Sequence, residues 1–199
     1  MQTTCSLDGS APMKATTDEE LIKRIAAGDS LAMKSFYARH HVRLYRFLVR
    51  MTRRDATAEE LMNEVLLEVW RKAAGYEGRS SVTTWMLSIA HHKAISQLRK
   101  RSEETLDEDT SGPDLADDED NPEIALQKSN KSKVMRACME KLSVEHRTII
   151  DLVYYHDKSV AEASEVLGIP ENTVKTRMFY ARKRLSDLMR EAGLDRGWP

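Results

Sequence analysis

The side chains best suited to act on another molecule lie near the C-terminus. Between Glu171 and Arg190, six basic residues (Lys175, Arg177, Arg182, Lys183, Arg184, Arg190) stand against two acids, Glu171 and Asp187. Thr173, Lys175, Thr176, Phe179 and Tyr180 gather hydrogen-bonding and aromatic groups in the first half of this run. A recognition helix presents such groups to base edges in the major groove, while later basic residues hold phosphates. Just before it, Gly168-Ile169-Pro170 supplies the short glycine-bearing turn of a helix-turn-helix. An amphipathic surface helix with a solvated basic face shares this composition, but the glycine turn favours DNA.

A second basic concentration lies earlier. From Lys34 to Arg54 there are seven Lys and Arg residues and no acid, and His91, His92, Lys93, Arg99, Lys100 and Arg101 form another cluster. Tyr76 and Trp85 flank the loop Gly78-Arg79-Ser80-Ser81. Aromatic rings beside a basic groove suit stacking on unpaired bases. Trp85 at helical spacing suits a core equally well, and the residues alone leave both readings open. The pairs His40-His41 and His91-His92 do not read as metal ligands, because neighbours on a helix point about 100° apart. They are expected at the surface or facing phosphates.

Cys5 and Cys138 are the two cysteines. They build neither a disulfide framework nor a four-ligand zinc site, and Cys138 reads as a small buried hydrophobe. No glycine-rich phosphate loop, G-x-S-x-G elbow or H-E-x-x-H motif occurs, so the expectation is a protein without catalysis, cofactor or metal.

The elements that must carry these residues are all helical. Thr17 and Glu20 read as a capping box opening a helix through Leu21, Ile22 and Ile25, which Gly28 ends. Asp29 or Ser30 caps the next, in which Leu44, Phe47, Leu48 and Met51 fall on one face. A third helix runs from about Thr57 to Ala73, with Leu61, Val65 and Val69 along one stripe. A fourth runs from Val82 to about Arg101, packing Trp85, Ile89, Ile95 and Leu98. Helical pattern resumes at about Ile124 and stops at Leu142-Ser143. One helix then carries Ile149, Ile150, Leu152 and Val153, a second spans Ser159–Leu167, and a third starts near Glu171. Leu167, Ile169, Val174 and Met178 are spaced to fill the small core between the last two. No strand-like alternation appears.

Length and charge fit two small domains. The chain has 199 residues, 31 Lys and Arg against 32 Asp and Glu, and a formal net charge of −1. That balance conceals a division. Eleven acids and no basic residue lie between Glu103 and Glu123, leaving 31 basic against 21 acidic residues elsewhere. Gly112-Pro113, Asn121-Pro122 and self-repulsion make this strip an extended, flexible linker. The expected organisation is a leader over 1–15, a helical domain over 16–101, the acidic linker over 102–123 and a helix-turn-helix domain over 124–192. No apolar run approaches the roughly 18–20 residues of a membrane span, and the N-terminus lacks a signal peptide's apolar core, so a cytoplasmic protein is expected.

Several stretches together resemble the extracytoplasmic-function (ECF) branch of bacterial RNA polymerase sigma factors. They are Ala27-Gly28-Asp29 with Phe36-Tyr37, the run Ala58 to Val65, Thr84 to Ala90, Leu142 with Arg147, and Thr173 to Arg177 followed by Ala181-Arg182. The resemblance covers about residues 17–101 and 134–190, and its order and spacing make it specific. It implies a sigma factor that directs core RNA polymerase to promoters in a stress or envelope-signal response, held inactive by an anti-sigma factor. Glu59, Glu60, Asn63 and Glu64 would dock on the polymerase clamp helices. Gly78, Arg79, Ser80, Ser81, Trp85, His92 and Lys93 would meet the melted −10 element and capture a flipped base. Thr173, Lys175, Thr176, Arg177, Phe179, Tyr180, Arg182 and Lys183 would read the duplex −35 element. Two residues depart from the pattern at these sites, His92 where Asn is frequent and Tyr180 where Arg is common. The acidic linker either mimics nucleic-acid charge or simply spaces the domains. The rival readings are a stand-alone helix-turn-helix repressor or activator, and an adaptor that works through protein contacts alone.

Overall fold

A computed structural model describes residues 16–104 and 133–193. The leader, residues 105–123 of the expected acidic linker and the first part of the resumed pattern from Ile124 lie outside the described residues. Eight α-helices and no strand occur among the described residues: α1 (Asp18–Ala26), α2 (Ser30–Thr52), α3 (Asp55–Lys72), α4 (Val82–Glu104), α5 (133–140), α6 (Val144–Tyr154), α7 (Val160–Leu167) and α8 (Glu171–Glu191). A short 3-10 turn, Ala73–Gly75, extends α3. The chain is all-α, and α4 runs three residues past the expected Arg101.

Local chemistry sets the helix ends. The Thr17 hydroxyl accepts the Glu20 amide while the Glu20 carboxylate accepts the Thr17 amide, a complete capping box. Of the two candidates for the next cap, Asp29 takes the role, accepting the amides of Leu31 and Ala32. Its carboxyl is held below its usual range chiefly by the hydrogen bonds from Arg24. Arg53 ends α2 in the left-handed conformation, φ +57°. Ser159 and Glu162 repeat the capping box at α7.

The first four helices bury Leu21, Ile22, Ile25, Phe36, Leu44, Phe47, Leu48, Met51, Leu61, Val65 and Val69, as the spacing predicts. Two expectations are corrected. Ile95 is 38% exposed, because the inward stripe of α4 is Val82, Met86, Ala90 and Ala94, with Leu87 beside it, and Ile95 lies one residue off that stripe. His40 is not at the surface but buried. It falls between Phe36 and Leu44 at intervals of four, on the inward face of α2. The Asp18 carboxylate stands 3.0 Å from its Nε2. Burial pushes the His40 pKa down, against the pull of Asp18.

In the C-terminal half, Leu142, Ile149, Ile150, Leu152, Ala163, Val166, Val174, Met178, Ala181, Leu185 and Leu188 form the core, joined by Cys138 as a small buried hydrophobe. The two halves do not stand apart. Helix α6 packs on α2 and α7 packs on α4, so one continuous apolar interior runs through both.

The helix-turn-helix depends on Gly168. It closes α7 with φ +65°, and its amide donates to the Ser164 carbonyl. The Ser164 hydroxyl then donates to the Ile169 carbonyl at 2.6 Å, so the small residue at the close approach also fastens the turn. A Cβ at Gly168 would meet only His92 Nε2, at an ordinary 3.8 Å. Sterics therefore permit alanine and backbone strain opposes it. Gly168→Ala is expected to destabilise the protein by about 1 kcal/mol in urea unfolding, and Gly168→Asn by less, since Asn tolerates this conformation. Equal losses for both variants would refute the backbone explanation.

Candidate nucleic-acid interface

Three surfaces carry the sequence-selected residues. On α8, the buried stripe Val174, Met178, Ala181, Leu185 and Leu188 holds the helix to its domain. Spacing then forces the intervening positions outward. Thr173, Lys175, Thr176, Phe179, Tyr180, Arg182 and Lys183 are all exposed, and Arg177 is half-buried. Phe179 and Tyr180 are 58% and 55% exposed and pack edge-on, with ring centroids 5.4 Å apart. Large aromatics left in water on a basic face mark a binding surface rather than a core.

The second surface is the segment between α3 and α4. Gly75, Tyr76, Glu77, Gly78, Arg79, Ser80 and Trp85 line an open cleft of about 280 Å³, and Glu165 from α7 completes its wall. Gly78, at φ +70°, turns the loop. The Tyr76 hydroxyl donates to the Ser80 carbonyl, and the Tyr76 and Trp85 rings lie 5.2 Å apart at 46°. Both rings are half-buried, so each packs against the core and also lines the cleft. Burial raises the Tyr76 pKa, with the Glu19, Glu165 and Asp18 carboxylates adding to the effect.

Two residues assigned to this surface are engaged elsewhere. Lys93 lies 3.0 Å from both Glu64 and Glu68 of α3. Burial works against its charge, yet the two carboxylates outweigh it and raise the lysine pKa. His92 holds the Ser88 carbonyl through Nδ1 at 2.7 Å and turns Nε2 toward Gly168 of the helix-turn-helix. Its neighbour His91 is half-buried beside His92 and Arg177, and its pKa is pushed down to about 4, mainly by burial.

The third surface is the outer face of α3. Glu59, Glu60, Asn63 and Glu64 are exposed there, and Leu67 adds an apolar group, 48% exposed. Sequence reasoning passed over Leu67, although two residues on from the stripe residue Val65 is about 200° around the helix, on the outer face.

Between the halves, Ser81, Thr84 and Arg147, named in the sequence, meet Arg50, Asp151, Lys158 and Glu162, which were not singled out for a site. Lys158, in the turn before α7, is buried, and its Nζ reaches Thr83 and Thr84 Oγ1 at 2.9 Å, Glu162 at 3.1 Å and Ser81 Oγ at 3.3 Å. The Thr84 hydroxyl donates to Glu162 at 2.9 Å. Burial pushes the Glu162 pKa up, but hydrogen bonds from the Ser159 amide, Thr84, Lys158 and the Ser159 hydroxyl overcome it and hold the pKa at about 2. Arg50 of α2 pairs with the buried Asp151 of α6, and its guanidinium lies 4.0 Å over the Tyr155 ring. Arg147, also buried, donates to the carbonyls of Glu140 at the end of α5, of Leu142 just past it and of Met51 at the end of α2. Burial lowers its pKa to about 10. The capping box Ser159–Glu162 was readable in the sequence. The partners of Lys158 and Arg50 were not.

No helix among the described residues is long and apolar enough to cross a membrane, and no group of three or more His, Cys, Asp or Glu there could hold a metal.

Comparison with known proteins gives two family matches: Sigma-70 region 2 over residues 36–104 and Sigma-70 region 4 over residues 132–185. The ECF RNA polymerase sigma factor SigK of Mycobacterium ulcerans (strain Agy99) is 31% identical over 173 residues, covering 85% of this chain and 91% of the relative. That of Mycolicibacterium vanbaalenii is 28% identical over 171 residues, covering 84% and 86%. Among solved structures, the sigma factor RpoE of Bartonella quintana, in complex with the anti-sigma factor NepR, superposes with a TM-score of 0.64 at 23% identity. It covers 82% of this chain and 98% of that one. CnrH in complex with the cytosolic domain of CnrY gives 0.63 at 20% identity, covering 87% and 97%. These two establish likeness of fold.

The position of His91 makes the packing sensitive to acid. The unfolded ring titrates near 6.5 and the folded one near 4, so the unfolded chain binds the proton first. Stability from this group is whole above about pH 6.5 and declines as pH falls toward 4, by roughly 1–3 kcal/mol for a ring only partly buried. His40, also lowered, acts in the same direction. Urea unfolding of His91→Gln between pH 7 and pH 4 is expected to show a shallower acid decline. An unchanged slope would exclude His91 as a source.

Proposed function

The chain belongs to the ECF sigma factors of the sigma-70 family, directing RNA polymerase to promoters, and on that premise we propose how its surfaces divide the work. The N-terminal half, through α3 and the Gly78–Ser81 loop, engages polymerase and melted −10 DNA. The C-terminal half, through α8, reads duplex −35 DNA. The protein acts in the cytoplasm, where the polymerase is, and performs no catalysis of its own. The observation that carries the division is the pairing, in one chain, of two different DNA surfaces: an exposed basic-aromatic helix face and an aromatic-walled cleft.

Each surface suits its own form of DNA. A helix face fits the major groove of a duplex, and Lys175, Thr176, Phe179 and Tyr180 point the way base edges require. Arg182 and Lys183, one turn on, are placed for phosphates, so binding should weaken steeply with salt. The cleft is too small for a duplex but accepts a single base turned out of the strand. Extruding that base costs a few kcal/mol, which stacking on Trp85 and Tyr76 and hydrogen bonds from Arg79, Ser80 and Ser81 offset. His92 and Lys93 lie farther along α4 and would join only after leaving their present partners, Ser88 for His92 and Glu64 and Glu68 for Lys93. Glu59, Glu60, Asn63 and Glu64, with the exposed Leu67 one turn on from Asn63 and Glu64, offer an acidic rim beside an apolar group. That is a surface for a basic protein partner, here the polymerase clamp helices.

Neither DNA contact need be tight alone. Holding both on one polymerase raises their effective concentration and lets weak contacts act together. An anti-sigma factor is the natural antagonist. The solved relative RpoE is bound to one, NepR, and the faces such a protein would cover here are the α3 rim and the cleft.

Run-off transcription with core polymerase tests the division. The double variant Lys175→Ala/Tyr180→Ala is expected to bind core polymerase normally but lose about thirtyfold or more of promoter-specific transcript, each lost contact contributing about 1–3 kcal/mol. Tight binding of a palindromic duplex without polymerase would instead favour a stand-alone repressor or activator.

A further inference from the structure

We infer that the reading face of α8 recognises thymine methyl groups, and that Thr176, Phe179 and Tyr180 together set this preference. The duplex element it reads then carries at least two neighbouring A·T pairs beneath these three residues. The inference rests on the assignment of α8 to duplex −35 DNA.

Helical phase comes first. Val174, Met178 and Ala181 are buried, and at about 100° per residue Thr176 falls directly opposite them. Phe179 and Tyr180 lie one turn on, one to either side of the line through Thr176. These three residues are therefore the ones that enter a groove deepest. Their chemistry is apolar. The Thr176 hydroxyl donates to the Asn172 carbonyl at 2.9 Å, so it is committed to the backbone of its own helix and the side chain offers its methyl. The Phe179 and Tyr180 rings brace each other edge-on at 78°, and each is more than half exposed. The Tyr180 hydroxyl is the one polar group the patch has left to offer.

Charge lies to the sides. Arg177, the first arginine of α8, is half-buried, close enough to His91 of α4 and Glu145 of α6 to bias the titration of both. Lys175 is exposed, about 100° around the helix from Thr176. Guanine calls for a guanidinium or ammonium on O6 and N7, and the cytosine amino group calls for a carboxylate. The centre of this face holds none of these. The thymine methyl is the major-groove group that apolar side chains recognise, and threonine methyls and aromatic rings suit it. One turn of helix is about 5.4 Å long and a base-pair step about 3.4 Å, so the patch covers two adjacent pairs. Lys175, at the flank, is placed for a guanine beside them.

Replacing thymine by uracil removes the methyl and keeps every base-pairing hydrogen bond. It thereby separates contact with the methyl from a preference for A·T pairs that arises through groove shape. The test uses the full chain with core polymerase and a promoter library randomised across the upstream element, read by run-off transcription. The enriched element is expected to contain neighbouring A·T pairs. Duplexes of that element with uracil for each thymine in turn, the rest of the promoter unaltered, are expected to lose roughly fourfold in promoter affinity at each of two positions, and about tenfold or more together. Tyr180→Phe is expected to retain the thymine-to-uracil ratio, because the ring and not the hydroxyl makes the contact. Thr176→Ser, which keeps the hydroxyl and deletes the methyl, is expected to bring the ratio to about one at one position. Tyr180→Arg is expected to shift the preferred pair there to G·C. All three side chains are exposed, so these changes leave the core of the helix-turn-helix intact. An enriched element without neighbouring A·T pairs, or uracil duplexes transcribed as well as thymine ones, would overturn the methyl reading. The −35 assignment would survive either result as long as Lys175→Ala/Tyr180→Ala still lost the transcript. A double variant that transcribed the enriched promoters normally would overturn that assignment and this inference with it.

Discussion

Charged groups withdrawn from water must find partners, and at the junction of the two halves this requirement governs the arrangement. Arg147, Asp151 and Lys158 are all buried. A lone buried charge costs several kcal/mol, so each must be met by groups that exist in only one relative placement of the helices. Arg147 finds three carbonyls at the ends of two helices, α5 and α2, where the helix dipoles favour a cation. Asp151 finds Arg50, and Lys158 finds the hydroxyl edge of α4. Apolar surfaces of α2, α4, α6 and α7 would tolerate sliding by a residue or a few degrees. These three charges would not, and they convert a greasy contact into a defined one.

That placement accounts for what remains exposed. With α6 and α7 committed to the N-terminal half, the outer face of α8 is left in solvent, and with it Phe179 and Tyr180. With α4 turned inward along Val82, Met86, Ala90 and Ala94, the outer face of α3 is left to Glu59, Glu60, Asn63, Glu64 and Leu67. The α8 and α3 faces are thus available in the docked form, whereas the cleft of the Gly78–Ser81 loop is partly walled by Glu165.

Much of this was legible in the sequence because it is local. Thr17 and Glu20 are three residues apart, as are Ser159 and Glu162, and each pair fixes a helix start on its own. Gly168 announces a turn because no other residue takes its backbone angle so easily. The stripe Val174, Met178, Ala181 on α8 determines that Lys175, Phe179 and Tyr180 face water. What escaped is non-local. Arg50 and Asp151 lie 101 residues apart in the chain, and Lys158 and Thr84 lie 74 apart. A lysine before a capping box reads as surface, and nothing near it in the chain says that three hydroxyls await it. His40 and Ile95 failed for a subtler reason: helical phase places each correctly, but residue type suggested the opposite side. An adjacent Asp18 lets the histidine go in, and the narrow stripe of α4 leaves the isoleucine out.

The charge division gains meaning from the same geometry. Eleven acids between Glu103 and Glu123 nearly cancel an excess of basic residues elsewhere, which a net charge of −1 conceals. Away from that strip, acids at the junction repeat the pattern on a smaller scale, each set against a group suited to nucleic acid. A protein whose DNA surfaces were simply basic would bind phosphate chains anywhere, since that attraction carries no sequence information. Asp151 on Arg50, and Glu162 on Thr84 and Lys158, set carboxylates against such groups where the halves meet, so the basic excess is not spread evenly over the surface.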